Sequence, residues 1–384
     1  MEILVTILYI IACVLMFALA ILIHEFGHFV VALKLGLRVE AFSIGFGPAL
    51  WKKKINGVEY RISALPLGGY VSIPDVDPEG TKALEGGGNA DVEAKAKIPA
   101  WKEVLVALAG PIMNIVLALI LAVVLSLVPS VEFGQLPAKI GMVIKEGPAD
   151  KAGMKAGDVV KSIDGVEVNC WTDMMTEVQI GGGRTMDFEV VGDDGVPRIV
   201  KIQPEHEEIT GGWYIKALSC ASENGRVHNW LPHRNPIKQV MWDAGSIFRV
   251  LKALVTPRDA KATSKALGGP VMIAEGLYRQ VRRDPWDGIG FLRFLNVNLA
   301  VFNLLPIPVL DGGLILFALF ALIFKRRVPA TIIKGLSMTF MILLLALMGI
   351  LIYRDSFRSY RLHTYKPTST ENAQSNTDTS AESR

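Results

Sequence analysis

The stretch Ile21-Leu22-Ile23-His24-Glu25-Phe26-Gly27-His28-Phe29 decides how the rest of the chain is interpreted. It contains an H-E-x-x-H motif within an apolar run, and residues at i and i+4 share one face of a helix. His24 and His28 can therefore offer two imidazole nitrogens to one metal ion, with Glu25 beside them as a base. Zinc is the predicted metal, because imidazole suits it and the site needs no redox chemistry.

The setting of the motif is unusual. Between Ile3 and Leu33 the only acidic or basic side chains are His24, Glu25 and His28. Ionisable groups in hydrocarbon cost several kcal/mol unless they are paired or bind a metal, so three together indicate a functional site. The alternative is a chance match on a buried helix, but a chance match would rarely lie at membrane depth.

The composition favours a membrane protein with soluble parts. The chain has 384 residues, of which 51% are hydrophobic, and a mean hydropathy of +0.37. The net charge of +3 gives no reason to expect a nucleic acid partner. Cys13, Cys170 and Cys220 show no metal or redox spacing, and Cys170 and Cys220 could pair only in an oxidising compartment.

Apolar runs and changes of composition divide the chain into segments. The first run could be a signal peptide, but Met1-Glu2 lacks the basic residue of such a leader, so we interpret the run as a retained helix. The predicted segments are 1–36 (first span), 37–103 (β-hairpin region and loop), 104–129 (second span), 138–205 (soluble domain), 206–292 (linker), 293–324 (third span), 328–353 (fourth span) and 354–384 (disordered tail).

A β-hairpin is predicted after the first span. Asn56-Gly57 separates two alternating segments, which is a strong signal for a two-residue turn. Gly68 and Gly69 follow, and their missing side chains would let another backbone approach closely. One interpretation is a small surface hairpin. The other is a sheet edge beside the metal site, with Gly68 and Gly69 at the place where a substrate strand binds.

The soluble segment 138–205 carries the stretch from Gly147 to Val168, in which Gly-Pro-Ala-Asp-Lys-Ala-Gly precedes a turn, a strand, Asp-Gly and another strand. This stretch resembles the PDZ domains of bacterial envelope proteases. Such domains bind extended peptide ends by adding a strand to a sheet edge. The candidate peptide-binding residues are Ile140, Gly141, Met142 and Val143. A compact β-rich domain without a ligand is the alternative.

Two features mark the segments after this domain. Apolar residues recur at helical spacing from Ile237 to Leu254, which predicts an amphipathic helix that packs on protein or, as we favour, lies on the membrane surface. The third span contains Asn303-Leu304-Leu305-Pro306-Ile307-Pro308-Val309-Leu310-Asp311-Gly312-Gly313. Prolines and glycines break such a helix, and broken helices at membrane depth line a cavity or a site. Between Phe294 and Phe324, Asp311 is the only ionised side chain, and it requires a cation.

Basic residues near the span ends predict the orientation. The loop 32–103 and the Lys-Arg-Arg of 325–327 carry most of them and are assigned to the cytoplasm. Both termini and the PDZ-like domain then lie outside, although Arg354, Arg358 and Arg361 oppose this assignment mildly.

Together these motifs resemble the site-2 protease family of intramembrane zinc metalloproteases, in its bacterial regulator-of-sigma-E branch. The motifs are His24-Glu25-x-x-His28, Gly110-Pro111-x-x-Asn114, the PDZ-like stretch and Asn303-x-x-Pro306-x-Pro308-x-x-Asp311-Gly312, in the family's order. The resemblance implies one zinc per chain held by His24, His28 and Asp311, with Glu25 activating water. It implies cleavage, within the bilayer of the bacterial inner membrane, of single-span proteins such as an anti-sigma factor and of signal-peptide remnants. The active site would face the cytoplasmic side. One departure is that the best-known members carry two PDZ domains, whereas residues 206–290 show no second copy.

The chemistry of these residue types agrees with that resemblance. Three protein ligands leave one position for water, as in catalytic zinc sites. The oxyanion of a peptide hydrolysis needs donors, for which Asn114 and Asn303 are candidates. Two rival functions are a metal transporter and an inactive PDZ scaffold. The predicted fold is a polytopic α-helical membrane protein of about four spans, with a membrane-associated β-hairpin region and one extracytoplasmic PDZ-like α+β domain.

Overall fold

A computed structural model describes residues 2–76, 98–129, 131, 133, 134, 136–207, 212–220, 231 and 233–364. Much of the loop predicted within segment 37–103 lies outside these ranges, as does the chain after Thr364. The chain forms two compact units, each described separately below. Unit 1 contains Met1–Leu136, Ala221–Lys252 and Ala274–Ala346, and unit 2 contains Pro137–Cys220, Ala253–Ile273 and Leu347–Arg384.

The described residues form helices and short strands in the following order. The helices are α1 (Glu2–Lys34), α2 (Ala100–Leu127), α3 (Pro148–Lys151), α4 (Trp171–Gly181), α5 (Pro236–Val255), α6 (Ala260–Ala266), α7 (Pro270–Arg283), α8 (Pro285–Asn303), α9 (Asp311–Phe324) and α10 (Ala330–Thr364). The strands are β1 (Ala41–Ile55), β2 (Val58–Ser72), β3 (Ile140–Val143), β4 (Val159–Ile163), β5 (Val166–Glu167), β6 (Met186–Val191), β7 (Pro197–Ile202), β8 (Glu205–His206), β9 (Trp213–Tyr214) and β10 (Ala217–Ser219).

Three of the described helices are long and apolar enough to cross a membrane: α1, α2 and α10. The predicted break in the third span is present, because α8 ends at Asn303 and α9 begins at Asp311. Pro306 and Pro308 lie in the break, where proline cannot continue a helix. With 14 residues α9 is about 21 Å long, which is shorter than the roughly 30 Å of hydrocarbon in a bilayer.

The predicted hairpin is present and more folded than its sequence suggests. Asn56 and Gly57 both have positive φ, as a type I′ turn requires, and Ile55 pairs with Val58. Strand β2 then bends, so that residues 41–44 of β1 pair with residues 59–62 on one side and with residues 69–72 on the other. In the part of the chain that the structure describes, no further strand pairs with residues 69–72, which therefore form a sheet edge.

Helix α5 packs on protein along one face. Its residues Val240, Ala244, Ile247 and Leu251 join a cluster with α2 and α8 that includes Ala118 and Val297. The prediction of a membrane-surface helix therefore omitted this protein contact. Two polar residues on α5 explain why this helix packs against α8.

Those residues, Gln239 and Asp243, are fully buried and bind Arg293 of α8, which is also fully buried. The guanidinium donates from Nε to Asp243 Oδ2 at 2.7 Å, from Nη2 to Oδ1 at 3.1 Å, and from Nη1 to Gln239. This fork pairs both carboxylate oxygens. The buried arginine lies ten residues beyond the end of the amphipathic α7, in a helix whose apolar pattern alone does not indicate a charge.

Unit 2 contains the predicted PDZ-like segment, with a four-stranded sheet in the order β5-β4-β6-β7. Its apolar core includes Ile163, Met174, Phe188 and Ile202. The domain extends past residue 205, because β10 pairs antiparallel with β3. The predicted peptide-binding edge Ile140–Val143 is thus covered: Ala217, Leu218 and Ser219 pair with Val143, Met142 and Ile140, and a Cβ at Gly141 would lie 2.7 Å from Cys220 N.

The end of α10 belongs to unit 2 and holds the start of α7. Asp355 is buried and its Oδ2 accepts the backbone N–H of Met272 at 3.1 Å, which caps α7. Arg354 donates to the backbone carbonyls of Ser264 and Leu267. The predicted disordered tail therefore begins at least ten residues too early, since α10 continues to Thr364.

The three cysteines are all free, so Cys170 and Cys220 do not pair. Cys170 precedes α4, and its Sγ accepts the backbone N–H of Asp173 at 3.4 Å. Burial raises the pKa of the Cys170 thiol to about 11, which keeps it protonated at neutral pH and unreactive.

The buried hydrogen bonds between Arg293 and Asp243 lead to a prediction about stability. Asp243→Ala should destabilise the protein by about 3–5 kcal/mol, because it leaves the Arg293 guanidinium buried without its carboxylate. Thermal unfolding in detergent, followed by circular dichroism, measures this loss. The double variant Asp243→Leu/Arg293→Leu removes both charges and should recover most of the stability; a double variant as unstable as the single one would contradict the assignment.

Candidate metal centre

Three side chains from α1 and α9 meet within unit 1. His24 Nε2 lies 3.2 Å from His28 Nε2 and 3.2 Å from Asp311 Oδ2, and His28 Nε2 lies 3.5 Å from Asp311 Oδ1. Both histidines are buried, at 8% and 9% exposure. Among the described residues, these three form a group of His and Asp side chains whose ligand atoms lie close enough together to hold one metal ion.

The spacing of these atoms fits a tetrahedral zinc ion. Zinc bonds of roughly 2.0–2.2 Å at tetrahedral angles separate neighbouring ligand atoms by about 3.3–3.6 Å. The observed separations are close to that range: His28 Nε2 to Asp311 Oδ1, at 3.5 Å, lies within it, and His24 Nε2 to His28 Nε2 and to Asp311 Oδ2, both at 3.2 Å, lie just below it. Asp311 Oδ2 is also buried without a hydrogen-bond donor. Lone pairs and a carboxylate that point at one another repel unless a cation lies between them.

A second layer of contacts orients the two imidazoles. His28 Nδ1 donates to the backbone carbonyl of Val106 at 2.7 Å, which leaves the lone pair on Nε2, the atom that faces Asp311. His24 Nδ1 lies 3.2 Å from the amide nitrogen of Asn114, whose own oxygen is buried without a partner. Turning that amide by 180° brings the Asn114 oxygen to the Nδ1–H of His24 and satisfies both groups.

The crossing of α1 and α2 is close enough to require glycine on both helices. A Cβ at Gly110 would lie 2.3 Å from His28 Nε2 and 2.7 Å from His24 Cε1. A Cβ at Gly27 would lie 2.4 Å from the backbone oxygen of Ala109. Small residues let membrane helices approach each other in this way. Gly110 and the Val106 carbonyl are thus part of the site, although neither was among the predicted site residues.

Asp311 reaches the histidines because the chain folds back tightly before α9. A Cβ at Gly312 would lie 2.1 Å from the backbone oxygen of Leu305, and one at Gly313 would lie 2.3 Å from that of Ile307. The two glycines therefore allow the broken segment to pack against the first turn of α9. Asp311 lies in that first turn, where the helix dipole stabilises a carboxylate.

A cavity of about 270 Å³ opens on this cluster. Its lining includes Glu25, Asn114 and Asn303 with two of the three candidate ligands, and apolar walls from Ile21, Leu299, Val309 and Leu310. The predicted polar site residues of the first three spans thus line one cavity, with the exception of His28. The apolar residues of the cavity wall could not be predicted, because they do not differ in type from the other apolar residues of a membrane span.

The sheet edge lies next to Glu25. A Cβ at Gly69 would be 3.5 Å from Glu25 Cγ and 2.8 Å from the backbone oxygen of Ser43. The backbone of Val71 also lies within hydrogen-bonding range of the Glu25 carboxylate. Gly68 differs from its neighbour, because the ring of Phe46 fills the space where its side chain would be. Of the two glycines, Gly69 is the one beside the candidate base.

Comparison with known proteins gives the family. The model for "Peptidase family M50" matches residues 12–347. The chain belongs to peptidase family M50. It is 32% identical to a Clostridium perfringens protein named "Putative zinc metalloprotease", over 91% of this chain and 98% of the relative. It is 29% identical to a Campylobacter jejuni protein of the same description (90% and 93%), and 27% identical to the regulator of sigma-W protease RasP of Bacillus subtilis (80% and 88%).

Membership of family M50 makes the protein a zinc metalloendopeptidase of the site-2 protease type and a multi-pass membrane protein. The match decides against the transporter and the inactive scaffold as leading interpretations. His206 and His233 do not join the ligand cluster.

The close helix crossing gives a direct test of the site. Gly110→Ala should lower the zinc content to less than a tenth of the wild-type value, because its methyl group would occupy the space of the two imidazoles. Gly335→Ala in α10 is the matched control, since no atom lies within 4 Å of the added Cβ. Zinc per purified chain, measured by atomic emission, should stay near one in the control; equal zinc in both variants would contradict the crossing geometry.

Proposed function

We propose that this M50 peptidase hydrolyses peptide bonds within the membrane-spanning segments of single-span proteins, including an anti-sigma factor or signal-peptide remnants. The observation that carries the proposal is the position of a sheet edge, residues 69–72, beside Glu25 and the cluster of His24, His28 and Asp311. An enzyme that acts on soluble peptides has no need of its ligands on the apolar helix α1.

We assign His24, His28 and Asp311 as the zinc ligands, and the separations of their atoms support that assignment. Zinc held there would supply a positive charge for the carbonyl oxygen and a water molecule whose pKa is near ~7. The chain supplies the rest of the chemistry. Val106 fixes the protonated nitrogen of His28, and Asn114 is positioned to do the same for His24.

Glu25 is the proton carrier in this proposal. Its carboxylate would accept the proton of the attacking water and later donate it to the amide nitrogen of the leaving peptide. The residue lines the cavity and is adjacent in sequence to His24, so a water in the cavity lies within its reach. Both proton transfers then occur at one carboxylate, without a second acid.

The two asparagines take different roles. Asn303 ends α8 and faces the cavity, so its amide can donate to the oxyanion of the hydrolysis. Asn114 lies in the same cavity but contacts His24, so we assign it to orienting that ligand. The prediction of two oxyanion donors thus divides into one donor and one positioning residue.

The substrate would bind as an added strand on residues 69–72. A membrane helix hides its peptide groups in its own hydrogen bonds, so it must unwind before hydrolysis. Each freed backbone group costs several kcal/mol in hydrocarbon unless it finds a partner. The open edge of residues 69–72 offers such partners next to Glu25.

The rest of the architecture gives the enzyme its setting in the proposal. We place the active site on the cytoplasmic side of a bacterial inner membrane and the PDZ-like domain outside, with four spans if α8 and α9 together cross the bilayer. Arg354 and Asp355 support this side for the end of α10, because they contact α6 and α7 in the unit that holds the PDZ-like domain. A peptide reaching Ile140–Val143 would have to displace β10, so we assign the domain a restraining role rather than open peptide binding.

The roles of Glu25 and Asp311 separate in two variants. Glu25→Gln keeps the shape of the side chain and removes the base, so zinc should stay bound while turnover falls by at least about 10²-fold. Asp311→Ala removes a ligand and should lower zinc content and turnover together. Zinc per chain and cleavage of a membrane-embedded substrate are measured on the same samples. Substantial turnover in the Gln variant, or full zinc in the Ala variant, would refute the corresponding role.

The added strand is tested at Tyr70, in the middle of the edge. Tyr70→Pro removes one backbone donor and should slow cleavage at least tenfold without releasing zinc. Tyr70→Ala is the control, because it removes the same ring and its contact with Arg61 but keeps the backbone N–H. If the Pro and Ala variants cleave several substrates at equal rates, substrate does not bind by strand addition at this edge.

A further inference from the structure

The end of the hairpin furthest from the metal centre carries a surface that the proteolytic chemistry does not use. Residues 47–57, which we call the hairpin tip, are all exposed. They include large apolar side chains, Leu50 at 73%, Trp51 at 49% and Ile55 at 43% exposure, and three consecutive lysines, Lys52–Lys54. Apolar side chains interleaved with lysines are costly to expose to water and indicate a partner.

Two apolar residues of the hairpin tip, Trp51 and Ile55, share with Lys53 the face of the sheet that packs on α1. Trp51 pairs with Ile62, Lys53 with Tyr60 and Ile55 with Val58, and residues directly opposite one another lie on the same face. Val58 and Tyr60 pack in a cluster with Phe29 of α1. The apolar side of the hairpin tip is therefore continuous with the side of the sheet that meets a membrane-spanning helix.

The other face of the hairpin tip is cationic. Lys52 pairs with Arg61 and Lys54 with Glu59 across the strands. The hydrogen bond from Arg61 lowers the pKa of Glu59, and Lys52 and Lys54 add to that effect. On this face three basic side chains, Lys52, Lys54 and Arg61, accompany one acidic side chain, Glu59, which is already bonded to Arg61. A net positive charge remains.

We propose that the hairpin tip binds the anionic headgroups of the membrane leaflet next to the end of α1. Tryptophan is favoured at the membrane–water interface, and lysine stems lie along apolar surface while their ammonium groups reach phosphate. Each lysine near an anionic surface adds attraction, so three adjacent lysines act together. Trp51 and Ile55 would enter the interface, Lys52 and Lys54 would contact the phosphates from the opposite face, and Lys53 would reach them from the apolar side along its own stem.

This contact would also affect the active site, because one sheet joins the two places. Residues 41–44 lie between residues 59–62, which continue from the hairpin tip, and residues 69–72, which lie beside Glu25. Anionic headgroups that hold the hairpin tip at the interface thus hold the edge strand at the level of the base. Cleavage is therefore expected to depend on anionic lipid, and this second consequence rests on the proposed proteolytic function.

Lysine labelling tests the binding without any measurement of activity. The full-length protein is placed in nanodiscs of phosphatidylcholine alone or with one-third phosphatidylglycerol, and is reductively methylated with formaldehyde, a neutral reagent. Mass spectrometry should show Lys52–Lys54 modified at least about fivefold more slowly in the anionic discs, with the difference lost in 1 M salt. The internal controls are three exposed lysines of unit 2, Lys145, Lys155 and Lys161. Equal protection of both sets, or of neither, would overturn the proposal.

Cleavage rates in the same nanodiscs test whether headgroup binding at the hairpin tip affects the active site. Wild-type enzyme should cleave at least about threefold faster with phosphatidylglycerol, and the variant Lys52→Gln/Lys53→Gln/Lys54→Gln should lose that stimulation while keeping its rate in neutral discs. The control Lys145→Gln/Lys155→Gln/Lys161→Gln should keep it. A triple variant that is slower in neutral and anionic discs alike would mean that these lysines act on the substrate instead. Protection of Lys52–Lys54 in anionic nanodiscs, without cleavage in any nanodisc, would contradict the proposed function but support the lipid contact.

Discussion

The space between α1 and α2 at Gly110 is the constraint on which the site depends. No side chain fits there, because the two imidazoles of α1 occupy the position of its first carbon. The same approach lets the Val106 carbonyl and the Asn114 amide of α2 reach the outer nitrogens of those rings. One helix thus presents the ligands and the other orients them. Polar groups that would be costly in hydrocarbon find their partners inside the crossing.

The third ligand comes to this crossing through a broken helix. Two prolines prevent α8 from continuing, and Gly312 and Gly313 let the broken segment fold against α9. The cost of interrupted backbone hydrogen bonds in a membrane is tolerated where the segment lines a site, and here it lines the cavity at Val309 and Leu310. The break is also what turns Asp311 toward His24 and His28.

Much of this arrangement could be predicted from the sequence. Charged residues in apolar runs are conspicuous, so His24, Glu25, His28 and Asp311 stood out, and Asn56-Gly57 indicated the hairpin through turn geometry alone. Contacts between distant segments left no such signal. The pairing of β3 with β10 depends on residues 74 to 79 positions apart, and the apolar periodicity of α5 does not reveal whether lipid or protein covers it. Backbone carbonyls such as that of Val106 cannot be assigned from side-chain identity at all.

The cap of α7 has a consequence for the order in which the chain assembles. Synthesis proceeds from the N-terminus, and the carboxylate that binds Met272 N–H belongs to Asp355, 83 residues later. Arg354, which holds the carbonyls of Ser264 and Leu267, is made at the same late moment. The segment between α5 and α8 therefore stays incomplete while the broken helix and the last span are still being inserted. Unit 2 is finished last, after all the candidate zinc ligands already exist.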